Sequence, residues 1–168
     1  KGSRFKGERI PTLKETLDIM PHNIWLNIHL KGGVDLAEKT TRLIASRNRL
    51  HQAFLACGAS AATAARRVDS RIKICNMDRQ ANTLKYVNET IQFRCEFIQL
   101  LGGESVDPMH TRRLREYKIR INYCCANDPA KVDRLFEDGV EFPLVDRVGE
   151  MLEVADKKGI PRLKPIYR

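Results

Sequence analysis

The chain contains no run approaching the ~20 apolar residues that a membrane-spanning helix requires, so no transmembrane segment is expected. It has no Cys-x-x-Cys, which leaves a zinc ribbon or a thioredoxin-type motif without support. No Gly-x-Gly-x-x-Gly follows the first apolar run, which argues against a dinucleotide-binding crevice. The Leu-x-x-Leu-x-Leu-x-x-Asn pattern of a leucine-rich solenoid is absent. There is no RNA-binding signature and no basic stripe interleaved with aromatics, so nucleic acid is not an expected partner. A secretory leader is also missing, but the chain begins at Lys1 rather than Met. Residues 1–10 read as a loop or as the torn end of a longer product.

What remains is an ordinary globular composition. The 168 residues are enough for one domain with a sizeable core, and 42% are apolar. Thirty Lys and Arg against 21 Asp and Glu give a net charge of +9. The basic residues are scattered along predicted helices and are densest at Lys1, Arg4, Lys6 and Arg9. This reads as a solvated surface around an anion-binding pocket. The five cysteines are Cys57, Cys75, Cys95, Cys124 and Cys125. Each falls in or beside a predicted strand, where a free thiol acts as a small apolar group. A reducing compartment, hence the cytoplasm, is the simpler inference, with export left open because any signal would lie upstream of Lys1. Adjacent cysteines seldom bridge, so Cys124 and Cys125 are expected to line a pocket as thiols.

The chain alternates between two periods. Thr12 and Glu15 form a capping box before a short helix that Pro21 ends. Strands are predicted at about 24–30, 53–57, 72–75, 95–101, 119–124 and 140–145, with a helix in each gap. Ser60 is the expected cap of an alanine-rich helix. Asp107-Pro108 and Asp128-Pro129 each place a capping residue before a first-turn proline, and Asp146 precedes the last helix in a capping position. Strand starts recur every ~23 residues, a spacing that suits βα units with a parallel sheet and right-handed crossovers. Two architectures fit: a doubly wound open sheet, or part of a (β/α)8 barrel.

Within the first strand, His29 and Lys31 stand two apart, a spacing that puts both on one face. A barrel carries its site at the C-terminal ends of its strands. There, Lys31 would contact a phosphate and His29 would take a ligand or active-site role, the two together suiting an anionic oxygen or a metal-bound phosphate. The plainer readings are a solvated loop lysine and a hydrogen-bonded core histidine. Asn27 shares the face and either orients His29 or packs as a satisfied amide. Gln99, polar in an apolar run, lines the pocket on the same rule. Gly32-Gly33 and Gly102-Gly103 admit two readings, backbone approach to an anion or tight strand-to-helix turns. Asp78 is a loop carboxylate with no visible partner.

Four segments resemble the glycerophosphodiester phosphodiesterases. Gly7-Glu8-Arg9-Ile10-Pro11-Thr12-Leu13 resembles the lead into that family's third strand. Leu26-Asn27-Ile28-His29-Leu30-Lys31 resembles its third strand, L-N-I-E-x-K. Asn122-Tyr123-Cys124-Cys125-Ala126-Asn127-Asp128-Pro129 resembles its seventh strand and turn, N-V-W-T-V-N-D-P. Gly139-Val140-Glu141 through Asp146 resembles its eighth strand. Order and spacing agree from about residue 7 to 157.

The resemblance implies an incomplete α/β TIM-type barrel of about six βα units, strands three to eight, with the first two strands absent from this chain. It implies a metal-dependent hydrolase that cleaves a small-molecule glycerophosphodiester to glycerol 3-phosphate and an alcohol. In the family the missing strands carry a His-Arg pair and a Glu-x-Asp pair, and a following insertion carries a second histidine. The histidines do acid–base work, and the carboxylates hold a divalent cation. Such a metal polarises phosphoryl oxygens, and a lysine offsets developing charge. That role falls to Lys31, with Asn27, Gln99 and Cys124 facing the substrate.

Three positions depart from the pattern. His29 stands where the family has its third-strand glutamate, Cys124 where it has a pocket tryptophan, and Phe142-Pro143 where it has a glycine and an aliphatic residue. An imidazole is neutral and softer than a carboxylate, so Zn or Mn would be penalised less than the family's Mg or Ca. The alternative from another functional class is a diverged, non-catalytic barrel that binds phosphoesters. This chain alone is expected to be inactive, since the acid–base histidines would lie upstream.

Overall fold

The structure is a computed structural model that describes residues 6–103 and 105–167. Lys1 and Arg4, half of the basic cluster read from the sequence, lie outside the described residues. The element order is α1 (Leu13–Ile19), β1 (Leu26–His29), α2 (Val34–Ser46), β2 (Ala53–Cys57), α3 (Ala59–Val68), β3 (Lys73–Asn76) and α4 (Leu84–Gln92), followed by β4 (Phe97–Leu101), α5 (Pro108–Glu116), β5 (Arg120–Cys124), α6 (Pro129–Glu137), β6 (Phe142–Pro143) and α7 (Val148–Lys157).

All neighbouring strands pair in parallel, and their order in the sheet is their order in the chain. A doubly wound sheet would reverse that order at a switch point. Winding in one direction, with a helix after every strand, is barrel topology. The sheet also curls. Trp25, just before β1, lies 5.1 Å ring to ring from Phe97 on β4. A flat sheet would hold those strands roughly 14 Å apart at ~4.8 Å per strand step. The result is a six-stranded parallel half-barrel.

Strand alternation divides the core into two layers. Leu26, Ile28, Leu55, Cys57 and Ile74 pack with α1, α2 and α3 side chains such as Leu17, Ile44 and Ala65. Ile98, Leu100, Ile121 and Tyr123 continue that outer layer with Leu114, Leu135 and Met151. The intervening residues point to the concave side, where Phe54, Ala56, Cys75 and Phe97 pack with Trp25, Met77 and Phe142. The whole of β2 is buried, as a parallel strand covered on both faces should be.

Helix starts follow the expected chemistry with two corrections. Thr12 and Glu15 form the capping box, with the Thr12 N–H donating to the Glu15 carboxylate at 2.8 Å. Asp107 and Asp128 cap α5 and α6 by accepting the N–H groups of Met109 and Ala130. Ser60, however, does not cap α3. Gly58 is its N-cap residue, and the Asp78 carboxylate reaches across from the loop after β3 to accept the Ala59 N–H at 2.8 Å. The loop carboxylate that looked unpartnered in the sequence is therefore the cap. Asp146 does not cap α7 either; its carboxylate accepts from the Asn127 amide at 2.7 Å.

Strands are shorter than predicted at both sheet edges, with β1 covering Leu26–His29 and β6 only Phe142–Pro143. Each edge strand pairs on one side alone. After α7 the chain returns to the segment that precedes β1. Ile166 donates its N–H to Asn23 Oδ1, and Asn23 Nδ2 donates to the Lys164 carbonyl, both at 2.9 Å. The tail so links the α7 end of the half-barrel to the segment entering β1.

Candidate functional site

The concave face rises in layers. Its floor is aromatic. Phe54 and Phe97 stack with centroids 3.9 Å apart, Trp25 packs edge-on against Phe97, and Phe142 leans on it at 6.2 Å. Two cations flank this floor: Lys73 Nζ lies 5.7 Å and the Arg120 guanidinium 5.3 Å from the Trp25 ring centroid. Arg120 also pairs with Glu141 at 2.8 Å.

Above the floor sit amides. Gln99 and Asn122 are direct neighbours in the β4–β5 register, and both are buried. Asn122 donates to Cys75 Sγ at 3.8 Å, and its buried Oδ1 has no hydrogen-bond partner among the described residues. An unpaired buried acceptor costs about 1–3 kcal/mol, so this position is held at some expense of stability. The sequence reading missed Asn122. The period-two alternation of Arg120, Asn122 and Cys124 against Ile121 and Tyr123 was the signal available.

The rim carries the residues chosen from the sequence. Asn27 and His29 alternate with the outer-layer residues Leu26 and Ile28 and are exposed. That exposure removes the reading of His29 as a core histidine. Lys31 lies two residues beyond, exposed, after Leu30 has extended the ladder by donating to the Ala56 carbonyl at 3.0 Å. Partial burial lowers the His29 imidazole below its ordinary pKa, and the nearby Lys31 ammonium lowers it further. The ring is thereby favoured in its neutral form, able to accept a proton or ligate a metal through one nitrogen.

Cys124 ends β5 in register with Leu101. The expectation of two free thiols is corrected: Cys124 and Cys125 are joined in a disulfide across a cis peptide bond. The other three cysteines are free and buried. The inference of a reducing compartment from five free thiols loses two of them.

The chosen residues form two groups. Asn27, His29 and Lys31 occupy one edge of the sheet; Gln99 and Cys124 lie three and four strands away. Along the sheet that is about 14–19 Å at ~4.8 Å per strand step, and only the curl turns the groups toward one another. The Gly pairs also separate. Gly102 and Gly103 both have positive φ, 86° and 84°, and form a turn whose carbonyls are occupied. The Gly103 carbonyl accepts from Tyr123 Oη at 2.6 Å and from Lys131 Nζ at 3.0 Å. Gly33 instead begins α2 without any side-chain cap.

Among the described residues no group of three or more His, Cys, Asp and Glu side chains could hold a metal ion. His29 offers one ligand where a divalent cation takes four or more. The residues present do not compose a metal site by themselves. An apolar cleft of about 260 Å³ lies elsewhere, between β6, α6 and α7, lined by Val132, Phe136, Phe142, Val145, Met151 and Leu152.

No family model matches the sequence, and no curated protein matches it. Solved structures do. A protein of Silicibacter pomeroyi, provisionally named a glycerophosphoryl diester phosphodiesterase, superposes with a TM-score of 0.78 at 13% identity, over 92% of this chain and 59% of that one. A phosphodiesterase of Oleispira antarctica, in complex with the product sn-glycerol-3-phosphate, gives 0.71 at 17% identity, over 92% and 65%. A glycerophosphodiester phosphodiesterase of Agrobacterium tumefaciens gives 0.71 at 16%, over 92% and 65%. The chain thus spans about three-fifths to two-thirds of the length of these proteins. Over the part it spans, it has the fold of the glycerophosphodiester phosphodiesterases.

Proposed function

We propose that this chain is the phosphate-facing portion of a glycerophosphodiester phosphodiesterase barrel, its six strands corresponding to strands three to eight of the closed cylinder. The reaction of the whole barrel is hydrolysis of a glycerophosphodiester to glycerol 3-phosphate and an alcohol. The observation that carries this reading is the six-stranded parallel sheet that winds in one direction and curls with the fold of those phosphodiesterases, with exposed His29 at the C-terminal end of its first strand and Lys31 just beyond.

The roles follow from the side chains. The Lys31 ammonium attracts the phosphoryl oxygens and offsets charge that builds on them. His29 accepts a hydrogen bond or serves as one ligand of a divalent cation, and Asn27 beside it fixes the ring. A divalent cation, when bound, supplies polarisation of the phosphoryl oxygens, with Zn or Mn better matched to an imidazole than Mg or Ca. Among the described residues no group of three or more His, Cys, Asp and Glu side chains surrounds such a cation, so its other ligands would come from outside them. Gln99 and Cys124 face the far side of the same concavity and contact the alcohol or glycerol moiety.

Calorimetric titration with glycerol 3-phosphate tests the reading. Saturable binding is expected, and Lys31→Met should weaken it about tenfold, the loss of ~1.4 kcal/mol. Binding that is absent, or indifferent to Lys31, overturns the assignment. One observation favours a second reading. A neutral imidazole at the position where the resembled pattern has a carboxylate suits a barrel that binds phosphoesters without cleaving them. Incubation with glycerophosphocholine and Mg, Ca, Mn or Zn separates the two: release of choline supports the hydrolase, binding without release the binder.

A further inference from the structure

We propose that Cys124 and Cys125 form a thiol–disulfide exchange site on the rim of the half-barrel, open to small dithiols while the protein remains folded. Exposure divides the five cysteines. Cys125 is exposed and Cys124 half-buried, whereas Cys57, Cys75 and Cys95 are buried within the core layers. An incoming thiolate needs a line of approach to one sulfur of a disulfide, and only this pair offers it. Burial also pushes the Cys57 and Cys95 thiols up, to about 11 and about 12, and raises Cys75 as well, which keeps them protonated and unreactive.

The backbone is pinned on both sides of the pair. Cys124 is held in the β4–β5 ladder opposite Leu101, and the Ala126 N–H donates to the Leu144 carbonyl at 3.0 Å. Just beyond, Asn127 and Asp146 exchange two hydrogen bonds of 2.7 Å. Opening the sulfur–sulfur bond therefore leaves the flanking strand and loop in place, and the change stays local.

The chemistry balances without a metal or cofactor. One thiolate of a dithiol attacks Cys125 Sγ; the sulfur–sulfur bond breaks, and its electron pair passes to Cys124 Sγ, which takes a proton. The second thiolate of the reagent attacks its own partner sulfur in the mixed disulfide and expels Cys125 as a thiolate, which also takes a proton. Two electrons and two protons pass to the protein, and the reagent leaves as a cyclic disulfide. Cys124 ends on the concave side, so the exchange replaces a closed ring on that wall with two separate thiols.

Iodoacetamide labelling of the folded protein, read by peptide mass spectrometry, tests this. Without reductant, none of the five cysteines should be labelled. After dithiothreitol under native conditions, Cys124 and Cys125 should each gain one label, with Cys57, Cys75 and Cys95 still unlabelled. Glutathione disulfide added before the label should reverse the gain. In the Cys125→Ser variant, Cys124 should be labelled without any reductant. Three results overturn the proposal: labelling of Cys124 and Cys125 before reduction, failure of dithiothreitol to open the pair in the folded protein, or labelling of the three core cysteines in step with the pair.

Discussion

The guanidinium of Arg120 lies 5.3 Å from the centre of the Trp25 ring, although three strands separate β5 from β1 in the sheet. No flat sheet allows that contact. Together with the Phe97 edge contact it measures the curl that brings the Lys31 edge and the Cys124 end of β5 onto one concavity. Trp25→Ala should lower stability by about 2–4 kcal/mol, somewhat less than loss of a fully buried aromatic. Arg120→Ala alone should cost about 1 kcal/mol, and the double variant should show ~0.5–1 kcal/mol of coupling. Urea unfolding of the four proteins measures both; additivity would mean that the two residues do not touch in solution.

Gly58 and Asp78 form a second such pair. A Cβ added at Gly58 would stand 2.5 Å from Asp78 Oδ1, the carboxylate that caps α3. Gly58→Ala must therefore push the cap aside, and a lost cap costs about 1–2 kcal/mol. Asp78→Ala removes the same cap directly. The double variant should be little worse than either single one, because the cap is lost only once. Asp78→Asn retains an acceptor and should cost less. Thermal unfolding followed by circular dichroism gives the comparison.

His29 titrates below its ordinary value because of burial and Lys31. The folded state then binds fewer protons than the unfolded state, and stability rises with pH across that window. As pH falls from the unfolded value of ~6.5 through the lowered folded value, the contribution is lost. Proton NMR of the imidazole should place His29 below an exposed model histidine, and Lys31→Met should move it back up.

Asn127 ties the loop after β5 to the loop after β6 by donating to the Asp146 carboxylate and accepting the Asp146 N–H, each at 2.7 Å. Its own carbonyl accepts from Arg147 at 2.6 Å. Asn127→Ala breaks both side-chain bonds on an exposed loop and should cost about 1–2 kcal/mol. Amide hydrogen exchange should accelerate at Ala126 and Asp146 and stay unchanged in β2. Uniform acceleration would assign the bonds a global role instead.

The sequence alone determined the alternation of strands and helices, the capping box at Thr12 and Glu15, the Asp-Pro starts of α5 and α6, and the resemblance of β1 and β5 to phosphodiesterase strands. These features are local: periodicity, cap chemistry and proline geometry act over a few residues and need no distant partner. The strand periodicity leaves a doubly wound sheet and a barrel both open; the resemblance implies the barrel, and the tertiary structure has the sheet winding in one direction and curling. Tertiary structure alone decided that Asp78 rather than Ser60 caps α3, that Asp146 is spent on Asn127, and that Cys124 and Cys125 are bonded. Asp78 stands 19 residues from the N–H it caps, and Asn127 19 residues from its carboxylate. Contacts of that kind are set by the stacking of one βα unit on the next, and no pattern within a single unit records them.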